Sequence, residues 1–238
     1  MKKIYFFFKG LYCSLYCFVL GLNAKNYFVI SGFKLMNHES FGNEVLWSVN
    51  RNHYEHHEVD LINEFMEPTD RVLELGGGMG LLSMVTSNIV PDENIFVFEA
   101  NPLMYEINSN NYRVNNLNNI NVYNNILGHG EKTRSFGITD SFECSNLLMT
   151  DAVDTISVEQ LDLDNFIREN SINTIMIDIE GGEYELIYDG YVFPDVVKKL
   201  FVETHPSQNF NNIDLTVIIE KQGFKAIKSW GQSVYYEK

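Results

Sequence analysis

The sequence predicts a doubly wound α/β fold with a mostly parallel sheet and a small N-terminal extension. From residue 71 onward, short apolar segments alternate with segments of helical periodicity, which indicates a parallel sheet with helices on both faces. Several of the short segments are apolar throughout, as expected for strands that are buried on both sides. The length of 238 residues suits one large domain. We therefore expect an extension over residues 1–53 and one functional domain over residues 54–238.

The N-terminal segment, residues 1–22, holds two lysines followed by an apolar stretch, a pattern that resembles a signal peptide or a membrane anchor. Lys9 interrupts this stretch, and the uninterrupted part, 10–22, is too short to cross the ~30 Å of a bilayer as a helix. We expect a helix that packs on the domain, with Cys13 and Cys17 buried on one face. A peripheral membrane contact or a true anchor is the alternative. Because the three cysteines are sparse and lack metal-ligand spacing, we expect a cytoplasmic protein, membrane-associated through this segment in the alternative.

Between this helix and the alternating region, residues 28–35 are predicted to form a short hairpin that turns at Ser31 and Gly32. A polar stretch follows, through His53. Apolar residues then recur on one helical face over 57–66, which predicts a helix.

The remaining elements follow from the alternation of strand and helix patterns. The predicted strands are 71–75, 94–98, 120–127, 174–178 and 199–204. The predicted helices are 81–89, 103–115, 158–169, 181–188 and 215–222. Segments 224–229 and 234–236 are predicted to close the fold as an antiparallel hairpin.

The charge balance limits the range of partners. The chain has 17 basic and 32 acidic residues, a formal net charge of −15, and shows no basic stripe. Because binding to a phosphate backbone draws on clustered lysine and arginine, we expect no nucleic acid partner. A small molecule or a glycan fits the charge better as an acceptor. The sequence does not indicate an oligomeric state.

The turn after the first strand of the domain is rich in glycine, which lets the backbone approach a ligand and enter a helix sharply. Its glycines are Gly76, Gly77, Gly78 and Gly80. The fingerprint of an NAD-dependent oxidoreductase requires a small residue where Leu81 stands, and no P-loop motif is present. Glu99 lies 19 residues beyond the last glycine and ends the second strand, where a carboxylate can accept both hydroxyls of a ribose. Together with Glu74, this acid-x-Gly-x-Gly-x-Gly pattern favours S-adenosyl-L-methionine (SAM) as the cofactor.

Four blocks of the sequence are similar to the FkbM-type methyltransferase family. They are residues 72–80, 97–102, 175–183 and 202–206, of which the third, an Asp-x-Glu-Gly-x-Glu signature, is the most specific. The resemblance covers about residues 54 to 237 and implies a seven-stranded, Rossmann-like class I methyltransferase sheet that ends in an antiparallel hairpin. It also implies methylation of a hydroxyl on a sugar, a glycan or a small natural product.

The resemblance further implies a set of cofactor-binding residues. Glu74 and the four loop glycines line the SAM site, although Gly77-Gly78 stands where the family more often has Ala-Asn. Glu99 holds the ribose, and four residues neighbour the adenosine: Ala100, Asn101, Asn125 and Ile126. Tyr54-Glu55 lies where family members have an aromatic–acid pair near the same site.

The catalytic candidates follow the fourth and fifth strands of the domain. SAM is an activated methyl donor, so the protein mainly aligns acceptor and methyl group, and a base helps if the acceptor is a hydroxyl. Asp178 is the first candidate for orienting the acceptor or removing its proton, and His205 is the second. Glu180 and Glu183 flank this site. Asp178, Glu180 and His205 could instead bind a divalent cation, but we favour a metal-free site.

Two other classes of function stay open. The chain could be a non-catalytic SAM-fold protein with a binding or scaffolding role, or an NAD-dependent oxidoreductase, although the glycine spacing disfavours the latter. We expect the acceptor-specific contacts to come from residues 26–56 and 129–157, where no motif is evident. His53, His56 and His57 are expected to form a solvated or substrate-facing edge.

Overall fold

The computed structural model describes residues 2–130, 132–138, 154–188, 190–205 and 212–238. Its strands are β1 (Tyr27–Ile30), β2 (Phe33–Met36), β3 (Val72–Leu75), β4 (Ile95–Phe98), β5 (Asn121–Tyr123), β6 (Ile126–Gly128), β7 (Thr133–Ile138), β8 (Asp154–Asp162), β9 (Thr174–Ile177), β10 (Lys199–Glu203), β11 (Lys225–Trp230) and β12 (Ser233–Glu237). Its helices are α1 (Lys2–Leu20), α2 (Asn43–Asn50), α3 (His56–Phe65), α4 (Leu81–Thr86), α5 (Pro102–Val114), α6 (Leu163–Glu169), α7 (Gly182–Tyr188) and α8 (Asn212–Lys221). Short 3₁₀ turns cover Leu22–Ala24 and Asp92–Asn94.

The central sheet has seven strands in the order β11-β12-β10-β9-β3-β4-β5. Strands β5, β4, β3, β9 and β10 run parallel to one another, while β12 lies antiparallel between β10 and β11. Every residue of β3, β4 and β9 is buried, because helices cover both faces of the sheet. The predicted doubly wound sheet and its closing antiparallel hairpin are confirmed.

The chain order creates a crevice between β3 and β9. From β3 the chain adds β4 and β5 toward one edge, and later adds β9 and β10 on the other side of β3. Ligands of such sheets bind where the strand order reverses, beyond the carboxyl ends of the strands. The glycine turn after β3 and the acids after β9 therefore meet at the same place.

Two buried clusters flank the sheet, and adjacent residues of one strand belong to different clusters. Val72 of β3 belongs to the cluster that contains Leu61 of α3. Leu73 belongs to the cluster that contains Ile167 of α6 and Ile187 of α7. Because both faces are packed, the strand ends are held firmly at the crevice.

The N-terminal helix α1 packs on α2, as expected for a packed helix. Cys13 and Cys17 are buried, and Lys9 forms an ion pair of 2.8 Å with Glu44 of α2. Leu15 and several other apolar residues of α1 are exposed. Among the described residues, no helix combines the length and the apolar character that crossing a membrane requires. The third cysteine, at position 144, lies outside the described ranges.

Three local predictions were wrong, two of them within the domain and one before His53. The third strand of the domain, expected at 120–127, is two strands: β5 belongs to the central sheet, and β6 pairs with β8 in a separate sheet. Between them, the side-chain amide of Asn124 donates to the carbonyl oxygens of Glu99 and Ala100, at 2.8 and 3.2 Å, and turns the chain. The helix expected at 158–169 starts only at Leu163, because the preceding residues extend as β8.

The polar stretch expected before His53 contains the helix α2. Its buried residues Val45, Leu46 and Val49 recur at helical spacing, so a signal was present in the sequence. The predicted hairpin at 28–35 is confirmed as β1 and β2, and its turn residues Ser31 and Gly32 both have positive φ angles, of 49° and 87°.

Candidate active site

A cavity opens beside the glycine turn, and we call it the glycine-loop cavity. Its wall comes from the ends of β3, β4 and β9, from the segment between β5 and β6, and from the residues before α3. The predicted residues that line it are Tyr54, Glu55, Gly76, Gly78, Glu99, Ala100, Asn101, Asn125, Ile126, Asp178 and Glu180. Its wall combines apolar side chains with a few convergent polar groups, as is typical of sites for small ligands.

The glycine turn is anchored to the neighbouring strand. The backbone N–H groups of Gly76 and Gly77 both donate to the carbonyl oxygen of Phe98, at 2.9 and 3.2 Å. A Cβ atom on Gly77 would overlap the side chain of Val97, and one on Gly80 would lie 2.7 Å from the ring of Tyr112. Gly76 and Gly78 line the cavity, whereas Gly77 and Gly80 pack behind it, and a direct cofactor contact of the latter two stays a prediction.

Glu99 is the acid at the end of β4, with only 7% of its surface exposed. Its Oε2 accepts from the N–H of Gly78 at 2.8 Å, and its Oε1 accepts from the N–H of Asn101 at 2.7 Å. Burial raises the pKa of Glu99 to about 7, although these backbone hydrogen bonds lower it in part. Both oxygens keep a lone pair that can accept a further hydrogen bond from a ligand.

Glu74 lies beneath the glycine turn rather than on the wall of the cavity. It is 2% exposed, and its carboxylate accepts a hydrogen bond from the hydroxyl of Ser83 in α4. Burial raises its pKa to about 8, and the charges of Asp178 and Glu99 add to the effect. This position suits a residue that supports the loop, so its predicted cofactor contact also stays a prediction.

Glu55 precedes α3 and lines the cavity together with Asp178. Its Oε2 atom is buried and has no hydrogen-bond partner among the described residues. Burial, followed by the charges of Asp178 and Glu58, raises the pKa of Glu55 well above its usual value. A buried oxygen without a partner is costly unless a ligand supplies one, so this atom marks a place for a positively charged or donating group.

A second cavity adjoins the first and shares four residues with it: Tyr54, Glu55, Asp178 and Glu180. We call it the histidine cavity. The other residues that line it are His53, His56, His57, Glu58, Glu203 and His205. The predicted catalytic residues Asp178, Glu180 and His205 thus come together at the junction with the glycine-loop cavity. His53, which precedes α3, and His56 and His57, which begin it, line the histidine cavity as well.

His205 is held by Glu183, which is fully buried. The backbone N–H of His205 and its ring Nδ1 lie 2.7 and 3.1 Å from Glu183 Oε1, while Oε2 of the same carboxylate accepts from the N–H of Gly181 at 2.8 Å. The ring Nε2 therefore faces the cavity, 3.8 Å from Asp178 and 3.6 Å from Glu180. Glu183 acts on the site by orienting His205.

At this junction several carboxyl groups crowd around the imidazole of His205, and they shift one another's pKa values. Burial alone lowers the pKa of His205, but its bond to Glu183 and the charges of Asp178 and Glu180 raise it to about 10. Burial raises the pKa of Asp178 to about 6, against the opposing effect of His205. Burial and the charge of Asp178 raise the pKa of Glu203 to about 9.

Sequence reasoning missed Glu203 and Glu58 as site residues. Glu203 ends β10, which pairs in parallel with β9 so that Val202 lies opposite Ile177. The next residue of each strand is then Glu203 and Asp178, and the two carboxylates meet at one edge. The sequence carried this signal, because acids that end adjacent parallel strands lie side by side.

The fold and the site define an SAM-dependent methyltransferase. The order of the seven strands, the glycine turn after β3 and the buried acid after β4 all match that class. The sequence model of the methyltransferase FkbM domain matches residues 88–228, which are 141 of the 238 residues. The chain belongs to the FkbM methyltransferase family. This match lies within residues 54–238, while the domain boundary at residue 54 stays a prediction.

Several solved structures show a distant similarity. A candidate tRNA (m1A22) methyltransferase from Streptococcus pneumoniae, in complex with S-adenosyl-L-methionine, is 15% identical over 75% of this chain and 71% of its own, with a TM-score of 0.46. The ribosomal protein L11 methylase from Lactobacillus delbrueckii subsp. bulgaricus is 12% identical over 78% of each chain, with a TM-score of 0.47. At this level the likeness identifies no acceptor. No curated protein sequence matches the chain.

Proposed function

We propose that the protein is an SAM-dependent O-methyltransferase that acts on a hydroxyl of a sugar, a glycan or a small natural product. The observation that carries this proposal is the junction of the two cavities at Asp178 and Glu180. One cavity has the acid and glycines that suit a nucleoside, and the other has polar groups that suit a hydroxylated acceptor. Transfer between two ligands needs them to meet, and they can meet at this junction.

The residues of the glycine-loop cavity fit SAM. Glu99 accepts the ribose hydroxyls, while Gly76 and Gly78 let the backbone approach the ligand. Ala100, Asn101, Asn125 and Ile126 border the adenosine. The unpartnered Oε2 of Glu55 suits the positive charge of the methionine part. SAM, when bound, supplies an electrophilic methyl group.

The residues at the junction orient the acceptor and handle its proton. Asp178, with a pKa of about 6, is mostly ionised at neutral pH, so it can hold an acceptor hydroxyl and take its proton. His205, with a pKa of about 10, is protonated at that pH and donates a hydrogen bond rather than accepting a proton. Glu180 borders both cavities and adds a second acceptor of hydroxyl hydrogen bonds.

The charge of the protein supports a small acceptor over a nucleic acid. The chain has a net charge of −15, and the described residues that line the histidine cavity include five carboxylates and neither lysine nor arginine. A phosphate backbone would be repelled at such a surface.

The first experiment is calorimetric titration of the purified protein with S-adenosylhomocysteine (SAH), compared with a Glu99→Ala variant. We expect micromolar binding that the variant weakens by at least about tenfold, or roughly 1.4 kcal/mol. A screen of hydroxylated acceptors with isotopically labelled SAM then tests catalysis. Absence of SAH binding by the folded protein would contradict the proposed function, and binding without turnover of any acceptor would favour a scaffolding role.

A further inference from the structure

Three side chains at the junction of the two cavities offer donor atoms that converge. One carboxylate oxygen from each of Asp178 and Glu203 and one imidazole nitrogen of His205 lie within 4.8 Å of one another. Nε2 of His205 is 3.8 Å from Oδ1 of Asp178 and 4.0 Å from Oε1 of Glu203. Ligands that share one ion at bonds of about 2.1 Å lie roughly 3 to 3.5 Å apart. Small side-chain rotations would therefore bring all three donors onto one ion. We propose that Asp178, Glu203 and His205 form a divalent-cation site.

The hydrogen bonding of His205 has the form that a metal-ligating histidine requires. Such a histidine donates its second ring N–H to a carboxylate or a carbonyl, which sets the tautomer and the ring orientation. Here Nδ1 lies 3.1 Å from Oε1 of Glu183, a fully buried carboxylate. The opposite nitrogen, Nε2, faces Asp178 and Glu203. It carries a proton in the cation-free protein at neutral pH, and a cation that binds there displaces this proton to solvent. The site thus has an orienting residue as well as its ligands.

An unpartnered oxygen points into the same place. Oδ1 of Asp178 is buried and accepts no hydrogen bond from the described residues, although the side chain as a whole is 23% exposed. This oxygen lies 3.8 Å from Nε2 of His205. Because leaving a buried carboxylate oxygen unsatisfied is costly, it calls for a cation or a donor at that position.

The surroundings also favour a cation. Glu55, Glu58 and Glu180 line the histidine cavity beside the proposed ligands, and none of the described lining residues is a lysine or an arginine. A protonated amine would be attracted by the same charge. The convergence of two oxygens and one oriented imidazole nitrogen fits an ion better, since mixed carboxylate and imidazole donors suit divalent metals such as Mn²⁺.

The role of this ion rests on the proposed function, whereas its binding does not. A cation held at the junction would bind the acceptor hydroxyl and lower its pKa, so that the proton leaves more easily. Asp178 would then act as a ligand that positions the ion, and the acceptor proton would pass to the carboxylate of Glu180, which lines both cavities. His53, His56 and His57 line the same cavity.

The test is titration of the full-length chain with Mn²⁺, in which electron paramagnetic resonance measures the free aqueous ion. We expect the wild-type protein to bind one equivalent with a micromolar Kd. Glu203→Gln, which removes a ligand, and Glu183→Gln, which removes the orienting carboxylate, should each weaken binding by about 10- to 100-fold. Glu169→Gln, at an exposed position of α6, is the matched control and should bind as the wild type does.

SAH calorimetry on the same samples separates this proposal from the proposed function and shows that each variant is folded. Normal SAH binding by a wild-type protein that does not bind Mn²⁺ would overturn the cation site and leave the methyltransferase intact. Equal Mn²⁺ affinity of Glu203→Gln and Glu169→Gln would also overturn it. Mn²⁺ binding without SAH binding would support the cation site while contradicting the proposed function.

Discussion

A Cβ atom on Gly76 would overlap the backbone carbonyl oxygen of Asp178. The glycine that opens the cofactor turn and the acid that follows β9 thus meet backbone to backbone, and the N–H of Asp178 also donates to the carbonyl oxygen of Leu75 at 3.0 Å. This contact places the proposed cofactor and acceptor positions side by side. Only glycine fits here, because the φ angle of Gly76 is also positive, at 89°.

Comparing a substitution at Gly76 with one at Gly32 should separate the energetic cost of steric overlap from the cost of backbone strain. We expect Gly76→Ala to lower the free energy of unfolding by at least about 3 kcal/mol and to abolish measurable SAH binding, because the methyl group displaces the end of β9. Gly32→Ala is the control: Gly32 has nearly the same φ, 87°, but open space around it. That variant should lose about 1 to 2 kcal/mol and keep SAH affinity. Equal losses in urea unfolding would show that the overlap is relieved at little cost.

The affinity for SAH should depend on pH through Glu99. Burial raises the pKa of this carboxyl to about 7, and a ribose is held by the ionised form. Affinity should therefore rise by about tenfold between pH 6 and pH 8, as the ionised fraction increases. Glu99→Gln should bind more weakly and with a shallower pH dependence. Calorimetry at several pH values makes the comparison, and parallel profiles for the two proteins would assign the dependence to another group.

The stability of the protein should depend on pH through Glu74. Its folded-state pKa, about 8, lies above the ordinary value of 4.5, so the stability that its neutral form contributes is full at low pH and is lost as pH rises through about 8. Glu74→Gln stays neutral throughout. Between pH 6 and pH 9, the difference in unfolding free energy should shift in favour of the variant by on the order of 2 kcal/mol.

Urea unfolding at the two pH values measures that shift. The exposed Glu106→Gln provides the control, because its carboxylate is in solvent in both folded and unfolded chains. Its difference from the wild type should not change with pH. A constant difference for Glu74→Gln as well would mean that the buried carboxylate is already ionised at pH 6.

A buried ion pair at the other end of the sheet should matter for stability and not for the site. Nζ of Lys199 lies 3.0 Å from Asp70, which is 2% exposed, and 2.8 Å from Glu67. Lys199→Met leaves the buried Asp70 carboxylate uncompensated, so the unfolding free energy should fall by about 3 to 5 kcal/mol.

The matched control for that change is Lys9→Met. It breaks the exposed pair with Glu44 and should cost at most about 1 kcal/mol. SAH affinity should be unchanged in both variants under native conditions, since Lys199 begins β10 at the end of the strand opposite to Glu203. Similar stability of the two variants in urea unfolding would argue that water reaches the Asp70 carboxylate.

The sequence alone was sufficient to predict those strands and turns that a local pattern of residues determines. The strands β3, β4 and β9 are apolar at every position or nearly so. The run of glycines that follows β3 is typical of a ligand-binding turn between a strand and a helix. The position of Glu99 and Asp178 at strand ends followed directly from this pattern. The same reasoning failed for β8, because an alternation of exposed and buried residues over a short stretch is compatible with either a strand or the start of a helix.

Only the tertiary structure decided which groups face one another in the site. The pairing of β9 with β10 brings Glu203 beside Asp178, and the bond between Glu183 and His205 turns Nε2 of the ring into the cavity. These contacts join residues that lie more than 20 positions apart, so no local spacing encodes them. Residue types and their order determined that acids and a histidine end these strands. The packing of the strands determined that their charges share one small volume, which is the physical basis of the shifted pKa values and of the proposed cation site.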